Sequence, residues 1–132
     1  MSEENLSRVR HIHAEWARGN WEAGRELMAT DAHVSWQVPE GFMDAHGLEE
    51  LTPKVRDFLG QWREFRFEAN EFTELNEDSF LVTGSIYGVG KASGVEVKAP
   101  GFYVWRFHND RIVRFHAGFA REEALIAAGL SE

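Results

Sequence analysis

At 132 residues, with 43% hydrophobic and 27% charged residues, the chain has the size and composition of one globular domain, expected to span 1–132. A net charge of −8 with no basic cluster argues against nucleic-acid and anionic-membrane partners. The absence of cysteine removes disulfides and thiolate chemistry. No apolar run reaches the length of a membrane span and no signal-peptide pattern opens the chain, so a cytoplasmic protein is expected.

In chain order, Ser2 to Arg18 reads as a helix. Ser2 offers a cap, and Leu6, Val9, Ile12, His13 and Trp16 form its apolar stripe. A second short helix is expected from Trp21 to Ala29, with Gly24 on its packing face. His33 to Val38 reads as a strand with Val34 and Trp36 on one side. Pro39 to His46 reads as a loop. Gly47 opens a third helix that runs to Trp62, with Leu48, Leu51, Val55, Phe58, Leu59 and Trp62 as its stripe.

The remainder reads as sheet. Glu64 to Leu75 places Phe65, Phe67 and Ala69 on one face, then changes phase at Phe72, which predicts a bulge near Asn70. Ser79 to Gly90 and Val95 to His108 follow, the latter bent at Pro100-Gly101. The segment from Gly101 to Phe119 predicts a hairpin. Tyr103, Trp105 and Phe107 alternate before the turn, and Val113, Phe115, Ala117 and Phe119 after it. A three-residue loop, His108-Asn109-Asp110, aligns these faces by placing Trp105 opposite Val113 and Tyr103 opposite Phe115. Arg121 to Leu130 closes as a short helix. The order is α-α-β-α-β-β-β-β-α. It predicts an α+β fold in which helices cover one face of a long, curved antiparallel sheet.

The chain resembles the nuclear transport factor 2-like superfamily, in particular its SnoaL-like small-molecule branch. The residues that carry the likeness are Gly19-Asn20-Trp21-Glu22 and Ala29-Thr30-Asp31-Ala32-His33-Val34. Further carriers are Gly47, Trp105-Arg106-Phe107 with Arg111-Ile112-Val113, and the closing run from Arg121 to Leu130. The resemblance implies a cone: a strongly curved antiparallel sheet covered on its concave face by three helices from the N-terminal half, with a short C-terminal helix. It implies an apolar cavity inside the cone and a homodimer packed through the sheet's outer face. It does not imply one activity, because the superfamily holds isomerases, dehydratases, cyclases and binding proteins. The acid–base residues of ketosteroid isomerases of this fold map to Ile12, Trp36 and Tyr103, and none matches.

Two residues are candidates for chemistry. His13 lies on the apolar stripe of the first helix, where imidazole could move a proton. Tyr103 could steady charge on a carbonyl oxygen of a ligand. Each is equally readable as core. Trp16, Trp36, Phe42, Phe58, Trp62, Trp105 and Phe115 are candidate walls for a small apolar ligand. Asp44 and His46 fall in the loop before the third helix, where exposure is expected. No metal site and no cofactor is expected: His11 and His13 point to opposite sides of their helix, and His13-Ala14-Glu15 lacks the cysteines of a zinc motif. The outer-face residues Phe102, Val104, Arg106, Ile112, Arg114 and His116 are the expected dimer surface. Three readings stand: an isomerase, dehydratase or cyclase using His13 and Tyr103; an apolar-ligand binder without chemistry; and a dimeric interaction module with a filled cone.

Overall fold

The computed structural model describes residues 2–38 and 41–130. Helix α1 covers Ser2–Ala17. Its inward stripe is Asn5, Val9, Ile12, His13 and Trp16, all buried. The cap expected from the Ser2 side chain lies outside the described residues. The helix expected from Trp21 to Ala29 is reduced to one 3-10 turn, Arg25–Leu27. Gly24 is the reason. It adopts a left-handed backbone with φ 94°, and a Cβ there would sit 2.9 Å from Ile12 Cδ1. A right-handed helix cannot pass through that residue. The two N-terminal-half helices, and not three, therefore cover the concave face.

Strand β1 runs Met28–Val38, earlier than expected, and β2 runs Gly41–His46, where a loop was expected. Pro39 and Glu40 lie outside the described residues. In β2, Met43 and Ala45 turn inward, while Phe42, Asp44 and His46 are exposed. Helix α2 covers Gly47–Gly60 and stops short of Trp62, which opens β3 (Trp62–Asn76). Strands β4 (Ser79–Gly90), β5 (Glu96–His108) and β6 (Arg111–Gly118) complete the sheet.

The sheet is curved and open, with strand order β2-β1-β6-β5-β4-β3. The expectation of a wholly antiparallel sheet is corrected at one seam, where β1 pairs parallel with β6. The meander from β3 to β6 ends beside β1, and both strands point the same way. The bulge expected near Asn70 is present: the register steps from Ala69↔Gly84 to Glu71↔Thr83. It puts Phe72 on the concave face, packed against the core, beside Val82. Gly84 serves this bulge, since a Cβ there would overlap the Glu68 carbonyl.

The β5–β6 hairpin departs from expectation in an instructive way. Its loop has two residues, Asn109 and Asp110, both with positive φ (50° and 68°), as a type I′ turn requires. His108 pairs with Arg111 and Phe107 with Ile112; Arg106 then pairs with Arg114. Val113 is thus a bulge residue, and Trp105 faces Phe115 while Tyr103 faces Ala117. The bulge restores the match of apolar faces that the short loop alone would break. It also moves Ile112 into the inner core, not the outer face.

Helix α3 covers Arg121–Ala127, shorter than the expected Arg121–Leu130, and packs on the outer face. Ala124, Leu125 and Ala128 close over Leu81 and Val104, with Phe102 beside them. Arg106 and Arg114 fasten it by donating to the carbonyls of Ala128 (3.1 Å) and Ala127 (2.7 Å). Val104, expected in a dimer surface, is therefore already buried within one chain; His116 is buried as well, hydrogen-bonded to Ser35 and beside Phe42.

Candidate functional site: an aromatic cone

The concave face of β3 to β6 carries alternating large rings. Phe67, Phe80, Tyr103, Trp105, Phe107 and Phe115 are all buried, because period-two alternation sends each to the same side. Helix α1 lies across them and inserts His13 among Trp16, Phe72, Tyr103 and Trp105, with ring centroids 5.1–5.9 Å away.

His13 is fixed by its hydrogen bond. Trp105 Nε1 donates to His13 Nε2 at 3.1 Å. An indole N–H can only donate, so Nε2 holds the lone pair and the ring proton sits on Nδ1. Burial lowers the imidazole pKa from its usual range to about 3, so the ring is neutral at physiological pH. His13 Nδ1 is buried without a partner among the described residues. Tyr103 turns its hydroxyl the other way, donating to the Ser85 carbonyl at 2.6 Å. Burial raises its pKa further above the ordinary phenol value. The His13 and Tyr103 rings lie with centroids 5.1 Å apart. Their polar atoms serve different partners.

The open space lies beside this pair, toward the mouth of the cone. A cavity of about 100 Å³ is lined by Trp16, Trp21, Trp36, Phe58, Phe65 and Phe67, with Met28, Arg25 and Phe115 among its other neighbours. A second space of about 40 Å³ adjoins it and shares Trp36, Phe58, Phe65 and Phe67, adding Trp62 and Phe119. Outside, a groove of about 440 Å³ between residues 19–25 and α2 shares Trp21, Arg25, Leu51, Val55 and Leu59 with the first cavity. The rings around these spaces contact one another edge to face, as Phe58 does with Trp36 and with Phe65.

Of the expected ligand walls, Trp16, Trp36, Phe58 and Phe115 line the larger cavity, and Trp62 lines the smaller. Trp105 is fully buried behind them and lines neither. Phe42 is corrected outright: it is 61% exposed on the outer face, its ring 5.7 Å from His116. His13 and Tyr103 line neither cavity. Trp21, Phe65, Phe67 and Met28 were missed as walls. Phe65 and Phe67 were legible from the alternation of β3, whereas Trp21 was hidden by its assignment to a helix.

Two polar atoms stand out in these apolar walls. Trp36 Nε1 and Trp62 Nε1 are buried donors without a partner among the described residues. Trp36 is 7% exposed and lines both spaces. Leaving such a donor unpaired costs about 1–3 kcal/mol.

Comparison with known proteins matches this geometry. A nuclear transport factor 2-like protein of unknown function from Burkholderia pseudomallei is 24% identical, with 94% of this chain and 96% of that one covered at a TM-score of 0.73. A second nuclear transport factor 2-like protein, from Burkholderia thailandensis, is 19% identical over 95% and 96% of the two chains at a TM-score of 0.76. A proposed SnoaL-like polyketide cyclase from Jannaschia sp. CCS1 is 15% identical over 96% and 92% at a TM-score of 0.73. No curated protein matches the chain. The profile of the SnoaL-like domain covers residues 9–115, most of the cone from α1 to β6, and the chain belongs to that family.

Proposed function

We propose that this protein binds a small, mostly apolar molecule carrying hydrogen-bond acceptor atoms, in the cavity between Trp21, Trp36, Phe58 and Phe67. The observation that carries this reading is the pair of unpartnered indole donors, Trp36 Nε1 and Trp62 Nε1, in walls that are otherwise apolar. A ligand carbonyl or ether oxygen satisfies such a donor, and aromatic walls supply the contact area. The larger space, about 100 Å³, suits a body of roughly one six-membered ring, since an engineered cavity of about 150 Å³ holds benzene. A structural neighbour proposed as a polyketide cyclase fits a carbonyl-bearing ring as the ligand type.

Binding without chemistry is the form of this reading that the geometry favours. Tyr103 has committed its hydroxyl proton to Ser85, and His13 is far too weak a base at neutral pH. The one observation on the side of turnover is the free Nδ1–H of His13, which could donate to a ligand reaching past Trp16. His13→Ala separates the two: loss of turnover with binding retained supports the enzyme, and no turnover in the parent protein supports the binder.

The test of binding is calorimetric titration with simple cyclic ketones and quinones. Trp36→Phe keeps a ring and deletes the donor. Affinity is expected to fall about 5- to 10-fold, the worth of one neutral hydrogen bond. The free variant is expected to be no less stable than the parent, because it no longer buries an unpaired N–H. Equal affinity in the parent and in both Trp36→Phe and Trp62→Phe would overturn the proposal.

We also propose self-association through the outer face of β2 and β1, with Phe42 as its most exposed apolar side chain. Phe42→Ser is expected to shift sedimentation toward monomer. Identical sedimentation of parent and variant would remove this face from consideration.

A further inference from the structure

Outside the cone, two imidazoles and a carboxylate meet on the outer face. Strand β2 folds back on β1 with His33 directly opposite His46 and Ser35 opposite Asp44. Alternation sends these four side chains outward, while Val34, Trp36 and Ala45 go to the core. The His33 and His46 rings stack with centroids 4.2 Å apart and planes 9° apart. His33 Nε2 lies 3.2 Å from Asp44 Oδ2. One ligand-competent atom from each of the three residues lies within 4.8 Å of the others.

The backbone under this cluster is held in place. The His46 amide donates to Glu50 Oε1 at 2.8 Å, and Lys54 Nζ donates to the Asp44 carbonyl at 2.7 Å. In a tetrahedral zinc site, with bonds of about 2.0–2.1 Å, ligand atoms stand roughly 3.4 Å apart. Reaching that spacing requires rotation of the His33 and His46 rings out of their stack, and all three side chains are at least partly exposed.

The chemistry suits a borderline metal ion: two neutral imidazoles and one carboxylate, with a coordination position left over. Arg114 opposes a dication, but its N–H groups are spent on the carbonyls of His33 (3.3 Å), Phe115 (2.6 Å) and Ala127 (2.7 Å).

We propose that His33, Asp44 and His46 form a zinc-binding site on the outer face of the β1–β2 hairpin, with the fourth position left to an exogenous ligand. Three protein ligands and a neighbouring guanidinium make it a reversible site, weaker than a closed four-ligand structural site.

The test is titration of the untagged full-length protein with Zn²⁺ by calorimetry, repeated with Co²⁺ to read visible absorption. Saturable binding of one ion per chain is expected. His46→Ala and His33→Ala are each expected to weaken it about 10-fold or more, Asp44→Asn by less, and His11→Ala not at all. His46 and Asp44 are exposed, so their variants keep the fold, which circular dichroism verifies. Absence of saturable binding in the parent, or unchanged affinity in both His46→Ala and Asp44→Asn, would overturn the proposal.

Discussion

At the scale of single residues, His13 shows how a buried imidazole makes stability depend on pH. Its folded pKa, about 3, lies well below the unfolded value of 6.5. Above pH 6.5 it is neutral in both states and has no effect on the pH dependence. Below 6.5 the unfolded chain takes up a proton that the folded chain refuses, so stability falls as pH drops from 6.5 toward 3. The slope from this one group approaches about 1.4 kcal/mol per pH unit. His116, hydrogen-bonded to Ser35 Oγ at 2.6 Å and lowered to about 4, works in the same direction. Urea unfolding of the parent between pH 7 and 4 is expected to show this decline, and His13→Gln a shallower one. Parallel curves for the two proteins would show that His13 does not carry the effect.

At the scale of elements, glycines and bulges decide where side chains end up. The bulge at Asn70 was legible because the apolar phase of β3 changes at Phe72, and only an extra residue reconciles the two halves. Gly84 makes room for it. Gly84→Ala is expected to cost more than about 2 kcal/mol in denaturant unfolding, because its Cβ would overlap the Glu68 carbonyl in a strand with partners on both sides. A loss under 0.5 kcal/mol, roughly the effect of a surface change, would mean that the strands open there without cost. The β5–β6 hairpin was only half legible. Alternation identified both strands and the inward side chains of Tyr103, Trp105, Phe115 and Ala117. It did not distinguish a three-residue loop from a two-residue loop plus a bulge at Val113, since both give the same inward set from Phe115 onward. Gly24 and β2 escaped for opposite reasons. Helical spacing around Trp21 masked a left-handed glycine, and the Pro39–Gly41 context masked a strand of only six residues. Missing β2 hid the pairing of His33 with His46, which no spacing along the chain reveals.

At the scale of the whole molecule, the sequence carried the cone, its curved sheet and most of its aromatic lining, because alternating rings on long strands leave few ways to bury them. It did not carry how far those rings fill the space. Trp16, Trp105 and Tyr103 close the deep end around His13, and the remaining room sits at the mouth beneath α2. The cover that α3 gives to Leu81 and Val104 on the outer face was not legible, because it depends on the angle at which residues 118–121 turn, which no pattern encodes. The proposed binding at the mouth rests on apolar walls that carry the buried donors of Trp36 and Trp62, which have no partner among the described residues. The most direct measurement is the indole N–H spectrum of the ¹⁵N-labelled protein, with its five tryptophans, titrated with a cyclic ketone or quinone. The resonances of Trp36 and Trp62 should move to the field of hydrogen-bonded indoles, while that of Trp105, already donated to His13, stays in place. Saturation of the protein with every such compound, with the Trp36 and Trp62 resonances unmoved, would contradict the account.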